Sequence, residues 1–244
     1  MLLRLITLTT GFQWSFRPNM VFPTLFANSG YKTAGYGKIF HWDGKEKNIW
    51  NHDQWDGGWY DYQEAEIPLM NSSTMADKIK PVEEFRDYIY TSKAIETMKQ
   101  LHTRQEFFMV GLGYKLPHLQ VHVPFKYFDM YRNKQHMWRR RKKELKFPNS
   151  APIVAHKCCG AVDFQFMNKD GGEKFVEKEN IGRMNQPFSQ RMHTELSWGY
   201  AAAVTFLDAQ IGRLLDTIDD MKLWDNITIV LTSDHGMHNG TILV

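Results

Sequence analysis

Cysteine is almost absent from this chain. Its 244 residues include two, Cys158 and Cys159, and they are adjacent. Neighbouring cysteines rarely bridge each other, because disulfide geometry needs more separated Cα atoms. The pair therefore builds neither a disulfide framework nor a zinc site, and it leaves the redox compartment open. Long apolar runs are also lacking. The opening MLLRLITLTTGFQW carries an early Arg4 and a few leucines, too little for a membrane span. It also lacks the apolar core and small-residue cleavage site of a secretory signal. A chain starting at Met1 is thus expected to be either cytosolic or missing upstream sequence. A dominant charge is the third absence. Thirty Lys and Arg against 27 Asp and Glu leave a net +3. That is too little to mark a nucleic-acid binder and only mildly favourable to an anionic substrate. What is present, 43% hydrophobic and 23% charged residues, is the composition of an ordinary globular protein large enough to bury a core.

The chain alternates between patterned and unpatterned stretches. Leu25 and Phe26 ahead of Gly30 predict a short helix with a glycine stop, and Tyr31 to Tyr36 reads as a strand entering a turn at Gly37-Lys38. Residues 42–62, with Trp42, Trp50, Trp55 and Trp59, show no period and read as a loop with aromatic packing. From Pro81 the pattern turns helical, with Phe85, Tyr88, Ile89, Ile95 and Met98 on one face. Phe107 to Leu112 is a continuous apolar run, expected to be a strand buried on both faces. Residues 132–196 hold no sustained period and read as an insertion or irregular surface. A single stripe of Tyr200, Val204, Leu207, Ile211, Leu214, Ile218 and Met221 then predicts a long helix. Asn226 to Leu231 reads as another buried strand, ending in Thr232-Ser233-Asp234-His235-Gly236. Strand, helix and strand in this order predict an α/β fold with a mainly parallel sheet flanked by helices.

Ligands of open α/β sheets collect beyond the carboxyl ends of the strands. Three polar clusters follow strand-like runs here: Lys38 with His41, His118, and Asp234 with His235. Lys38 offers a compact positive charge to sulfate or phosphate oxygens. The histidines suit proton donation to a leaving alcohol near neutral pH. Asp234 supplies a hard oxygen ligand for a divalent cation, which would stabilise charge on a transferring oxyanion. Taken singly, each cluster is more often turn chemistry or a hydrogen-bonded structural residue than a site.

Their order along the chain is more telling. Gly30-Tyr31-Lys32-Thr33-Ala34-Gly35-Tyr36-Gly37-Lys38-Ile39-Phe40-His41 resembles the second signature of the sulfatase family, with Tyr36 where a small or aliphatic residue is usual. Gly113-Tyr114-Lys115-Leu116-Pro117-His118, followed by Pro124-Phe125, resembles the family's GY-x-x-PH loop. Ser197 to Leu215 is similar to the helix before the metal strand. Thr232-Ser233-Asp234-His235-Gly236 is similar to the metal motif in the form used by the iduronate-2-sulfatase branch. This resemblance implies an alkaline-phosphatase-like α/β sandwich in which residues 1–244 form part of a catalytic domain. It implies calcium-dependent hydrolysis of a sulfate ester on a sulfated sugar or glycosaminoglycan, in a lysosomal or secreted protein. Lys38 would grip a sulfate oxygen, and His41 would hold a formylglycine hydrate. His118 would contact the sulfate or protonate the leaving alcohol, and Asp234 with His235 would sit on Ca2+. The histidine departs from calcium's preference for oxygen.

Several family features are missing. Neither Cys158 nor Cys159 stands in a Cys/Ser-x-Pro-x-Arg motif, the source of the formylglycine nucleophile. The N-terminal Asp-Asp metal pair and the lysine downstream of Asp-His-Gly are also absent. The chain alone is therefore expected to be an inactive, incomplete catalytic domain. Two other readings stay open: a phosphoesterase of the same superfamily, and a non-catalytic paralogue that binds a glycan or a partner. Asn71-Ser72-Ser73 is a usable glycosylation sequon in a polar loop, whereas Asn226-Ile227-Thr228 enters an expected strand and reads as chance. The run Arg139 to Lys143 reads as a solvated loop before a polyanion site. No nucleic-acid partner and no membrane span are expected.

Overall fold

The computed structural model describes residues 21–39, 49–55, 76–78, 80–118, 121–134, 190–233 and 236. They fall into two compact units. The first comprises residues 1–62 and 86–115, and the second residues 63–85 and 116–244.

The first unit starts with helix α1 (Phe22–Asn28), which has Pro23 in its first turn and is released by Gly30 at a positive φ of 90°. It feeds strand β1 (Lys32–Gly37), followed by the short strand β2 (Asp53–Trp55). Helix α2 (Arg86–Thr103) leads into β4 (Phe108–Gly113). The three strands form a parallel sheet in the order β2-β1-β4. The expected α/β class with a parallel sheet is present. β2 is an addition, because the sequence of residues 42–62 predicts loop throughout. Three residues are too few to show an alternating pattern, and what holds them is tertiary. Asn51 accepts the Thr33 amide at 2.7 Å and donates to the Tyr31 carbonyl at 2.9 Å, and the Tyr36 hydroxyl reaches Asp53 at 2.7 Å.

Helix α2 covers one face of β1 and β4, with Ala34, Tyr36, Tyr90 and Ala94 as the buried cluster and Val110 and Leu112 packed against it. The buried side of α2 runs through Asp87, Tyr90, Thr91, Ala94, Thr97, Met98 and Leu101. Of the expected face Phe85 and Met98 are buried, whereas Tyr88, Ile89 and Ile95 are only half-buried. Polar threonines and Asp87 took the inward positions because hydrogen bonds satisfy them there, which apolar periodicity does not register. On the opposite face of the sheet, the Trp50 indole lies over Gly35 and Gly111, partners in register. A Cβ on either glycine would collide with that ring. β4 is half-buried along its length and Phe107 is 75% exposed, which corrects the expectation of burial on both faces. Among the described residues β4 is an edge strand, so one flank has no neighbour to cover it.

The second unit contains β3 (Ala76–Asp77) paired in parallel with β5 (Val123–Pro124), helix α3 (Phe125–Asp129), a 3-10 turn at Val82–Glu84, and helix α4 (Gln190–Asp220). Its core is aromatic. Phe206 meets Phe85 at 5.7 Å and Tyr127 at 5.1 Å between ring centres, and Phe128 stacks on Trp198 at 4.2 Å. The Trp198 indole N–H donates to the Phe128 carbonyl at 2.7 Å.

Helix α4 begins before the expected Ser197 and turns a different side inward: Ala202, Ala203, Phe206, Gln210, Thr217 and Ile218 are buried while Val204 is exposed. Of the predicted stripe only Ile218 is fully covered. Two alanines let neighbouring elements approach closely, and Gln210 is satisfied by the Phe206 carbonyl and Arg213. After α4, residues 226–231 form no strand. Ile229, Val230 and Leu231 are 44%, 81% and 80% exposed, which corrects the expected buried strand. An apolar run becomes a buried strand only when another strand completes its hydrogen bonds, and none among the described residues does. Asn226 is likewise exposed, so burial does not disqualify its sequon.

Candidate functional site

The chemistry gathers where β1 and β4 end. Their parallel register pairs Gly37 with Gly113, so both chains leave the sheet at the same level and in the same direction. The approach there is close. The Lys38 amide donates to the Gly113 carbonyl at 2.8 Å, Gly37 adopts a positive φ of 75°, and a Cβ on Gly113 would strike the Lys38 carbonyl. The two glycines thus bring Lys38 and the segment Tyr114-Lys115 out side by side. This is the carboxyl edge of a parallel sheet, where ligands of such folds bind.

The start of α2 completes this corner. Asp87, 3% exposed, accepts the Lys115 amide on Oδ1 at 3.1 Å. The Thr91 hydroxyl donates to the Asp87 carbonyl at 2.8 Å and lies 3.0 Å from the Tyr114 hydroxyl. The loop after β4 is therefore fastened to the helix by two polar contacts, Lys115 to Asp87 and Tyr114 to Thr91. Burial brings the Lys115 ammonium from 10.5 down to about 8. Asp87 opposes that change, while the like charges of Lys38 and Arg86 add to it.

Lys38 was expected from the sequence and stands at this edge. Lys115, Arg86 and Asp87 were not singled out. Lys115 lies inside the Gly113 to His118 string, but only its burial and its amide bond to Asp87 set it apart from a solvated loop lysine. His118 is half-buried in the second unit, beyond the end of β4. His41, Asp234 and His235 lie outside the described residues, as do the Asn71 sequon and the basic run at 139–143. Among the described residues, no group of three or more His, Cys, Asp or Glu side chains is placed to hold a metal. No helix of the described residues is long and apolar enough to cross a membrane.

A lysine at the carboxyl end of a parallel strand is common to many anion-binding proteins. Comparison with known families decides among them, because the sulfatase family model matches residues 9–241. The chain belongs to the sulfatase family. This sulfatase chain is 25% identical over 229 residues to iduronate 2-sulfatase of Homo sapiens, covering 88% of this chain and 40% of that protein. The mouse (Mus musculus) iduronate 2-sulfatase is also 25% identical over 229 residues, covering 88% and 39%. A sulfatase of Formosa agariphila is 24% identical over 237 residues, covering 89% and 42%. The sulfatase chain described here thus spans about 40% of the length of the curated relatives it matches. Membership implies the alkaline-phosphatase-like α/β fold, and the parallel sheet under α2 agrees with that class.

Proposed function

We propose that this chain is part of a sulfuric ester hydrolase of the iduronate-2-sulfatase type, acting on a sulfated sugar or glycosaminoglycan. One observation carries the reading. In a chain of the sulfatase family, Lys38 of the signature string stands at the carboxyl edge of β1, beside the loop leaving β4. A lysine held there by its own backbone presents a positive charge where an oxyanion can be received from solvent.

In this reading Lys38 grips a sulfate oxygen and His118 contacts the sulfate or protonates the departing alcohol. Both roles are carried over from the positions these residues occupy in the signature strings. His41 would orient the nucleophile. Formylglycine supplies that nucleophile in the family, and its Cys-x-Pro-x-Arg source is not among these 244 residues. Calcium is proposed on Asp234 and His235 from the motif alone. The carboxylate suits a hard cation and the imidazole does not, so no step is derived through the ion. A rise in melting temperature with added calcium, lost in Asp234→Ala, would support the assignment. A lysosomal or secreted location, and residues 1–244 as part of a catalytic domain, belong to the same proposal.

Binding tests the reading directly. An aryl sulfate ester is expected to bind the purified chain and remain intact, and Lys38→Met is expected to weaken binding by about tenfold, the loss of a charge-assisted contact. Equal affinity in wild type and Lys38→Met would remove the anion site. A marked preference for the matching aryl phosphate would favour a phosphoesterase of the same superfamily.

A further inference from the structure

We propose that Asn226 is an attachment site for an N-linked glycan whose first sugar rests on the indole of Trp224. The inference goes beyond the hydrolase reading and rests only on the secretory location that belongs to it.

The acceptor pattern Asn-x-Ser/Thr begins at Asn71, Asn226 and Asn239. Asn71 and Asn239 lie outside the described residues, so Asn226 is the acceptor whose setting the structure gives. Three residues are a weak signal, and inside a buried strand they would be idle. Here that strand is absent. Residues 227–233 form neither helix nor strand, and Asn226 and Thr228 are both exposed.

The end of α4 puts Asn226 at the surface. Lys222 takes a positive φ of 55°, its amide donates to the Asp219 carbonyl at 2.8 Å, and the Leu223 amide donates to the Ile218 carbonyl at 3.0 Å. This left-handed stop satisfies the last carbonyls of the helix, with Leu223 and Ile218 both buried. A tight turn follows, closed by the Asn226 amide on the Leu223 carbonyl at 2.8 Å. The main chain of Asn226 is thus held. Among the described residues its side-chain amide has no partner, so a glycan on that nitrogen displaces no hydrogen bond there.

Trp224 is a second, independent observation. It belongs to the same turn and is 50% exposed, and its indole N–H donates to Asp219 at 3.0 Å. The ring's polar atom is therefore satisfied and its orientation fixed, while the side chain still meets solvent. An aromatic face held in this way suits the C–H face of a pyranose.

The donor is a lipid-linked oligosaccharide pyrophosphate, used by a transferase of the secretory lumen that also reads the Thr228 hydroxyl. Nδ2 of Asn226 bonds to C1 of the first N-acetylhexosamine and loses a proton. The C1–O bond to the pyrophosphate breaks, and the lipid pyrophosphate leaves with the electron pair.

The chain is expressed in animal cells behind an added cleavable leader, with Asn71→Gln and Asn239→Gln leaving Asn226 as its one acceptor. Loss of the leader, read by mass spectrometry, marks entry into the lumen. Peptide N-glycosidase is expected to convert Asn226 to aspartate and increase gel mobility, and Asn226→Gln to abolish that shift. Removing the glycan should lower the melting temperature by about 2 °C, the worth of one sugar–aromatic contact in a chain of this size. Trp224→Ala should lose this difference, and Trp224→Phe, which keeps an aromatic face, should retain most of it. An unmodified Asn226 in leader-cleaved chain overturns the proposal and leaves the location and hydrolase readings standing. A natural gene product confined to the cytosol overturns the location reading, and this proposal with it. Modification with the same melting temperature before and after glycan removal would keep the attachment site and overturn the contact with Trp224.

Discussion

Tyr36 stands where the related signature usually carries a small or aliphatic residue, and its surroundings account for the substitution. The ring is fully buried under α2, and its hydroxyl lies 2.5 Å from Thr97 and 2.7 Å from Asp53. Burial pushes the phenol well above the ordinary tyrosine range, so it stays protonated and ties β1 to both α2 and β2. Tyr36→Phe strands the buried Thr97 hydroxyl and is expected to cost about 1–3 kcal/mol in urea unfolding. An unchanged midpoint would show that these bonds contribute nothing net. Lys115 titrates the other way. Its folded value, about 8, lies below the 10.5 of an ordinary lysine, so between those values the unfolded chain binds more protons and stability rises with pH. Lys115→Met lacks this component. Its melting temperature should exceed that of wild type near pH 7, and the gap should narrow as pH increases past 8. A gap that widens instead would contradict the burial of this charge.

At the scale of elements, glycines show how differently one residue type is used. Gly113 lies at the shared carboxyl end of β1 and β4, and an added methyl group would meet the Lys38 backbone, which cannot swing away. Gly113→Ala should destabilise by about 1–3 kcal/mol and weaken sulfate binding together, since it displaces the carrier of Lys38. Gly212 is the contrasting case, inside α4 with open space around its Cα. Gly212→Ala should stabilise by about 0.5–1 kcal/mol, the helix preference of alanine over glycine. Circular dichroism melts of the two variants would separate the cases, and destabilisation by Gly212→Ala would refute the second. The helices also show the reach of periodicity. Both α2 and α4 were legible as helices from apolar spacing, yet each turns a different face inward than its hydrophobic stripe predicts. Thr91, Thr97, Asp87 and Gln210 are buried because their polar atoms find partners within the helix or beside it.

Across the whole molecule, the sequence holds strings that resemble the family's second signature and metal motif, without a Cys/Ser-x-Pro-x-Arg motif. The purified chain supplied with calcium is accordingly expected to release no alcohol from an aryl sulfate, and calcium-dependent release would overturn that expectation. The α/β class, the parallel β1 and β4, the helix between them and Lys38 at a strand end were determined by the sequence itself. Apolar period, glycine stops and ordered motifs are local signals, readable without knowing what lies opposite. Only the tertiary structure decided that β2 exists, that 228–231 stays exposed, and that Lys115 shares a corner with Lys38, Arg86 and Asp87. Strand pairing, burial and the charge state of a lysine all depend on neighbours distant in sequence, and no local spacing records them.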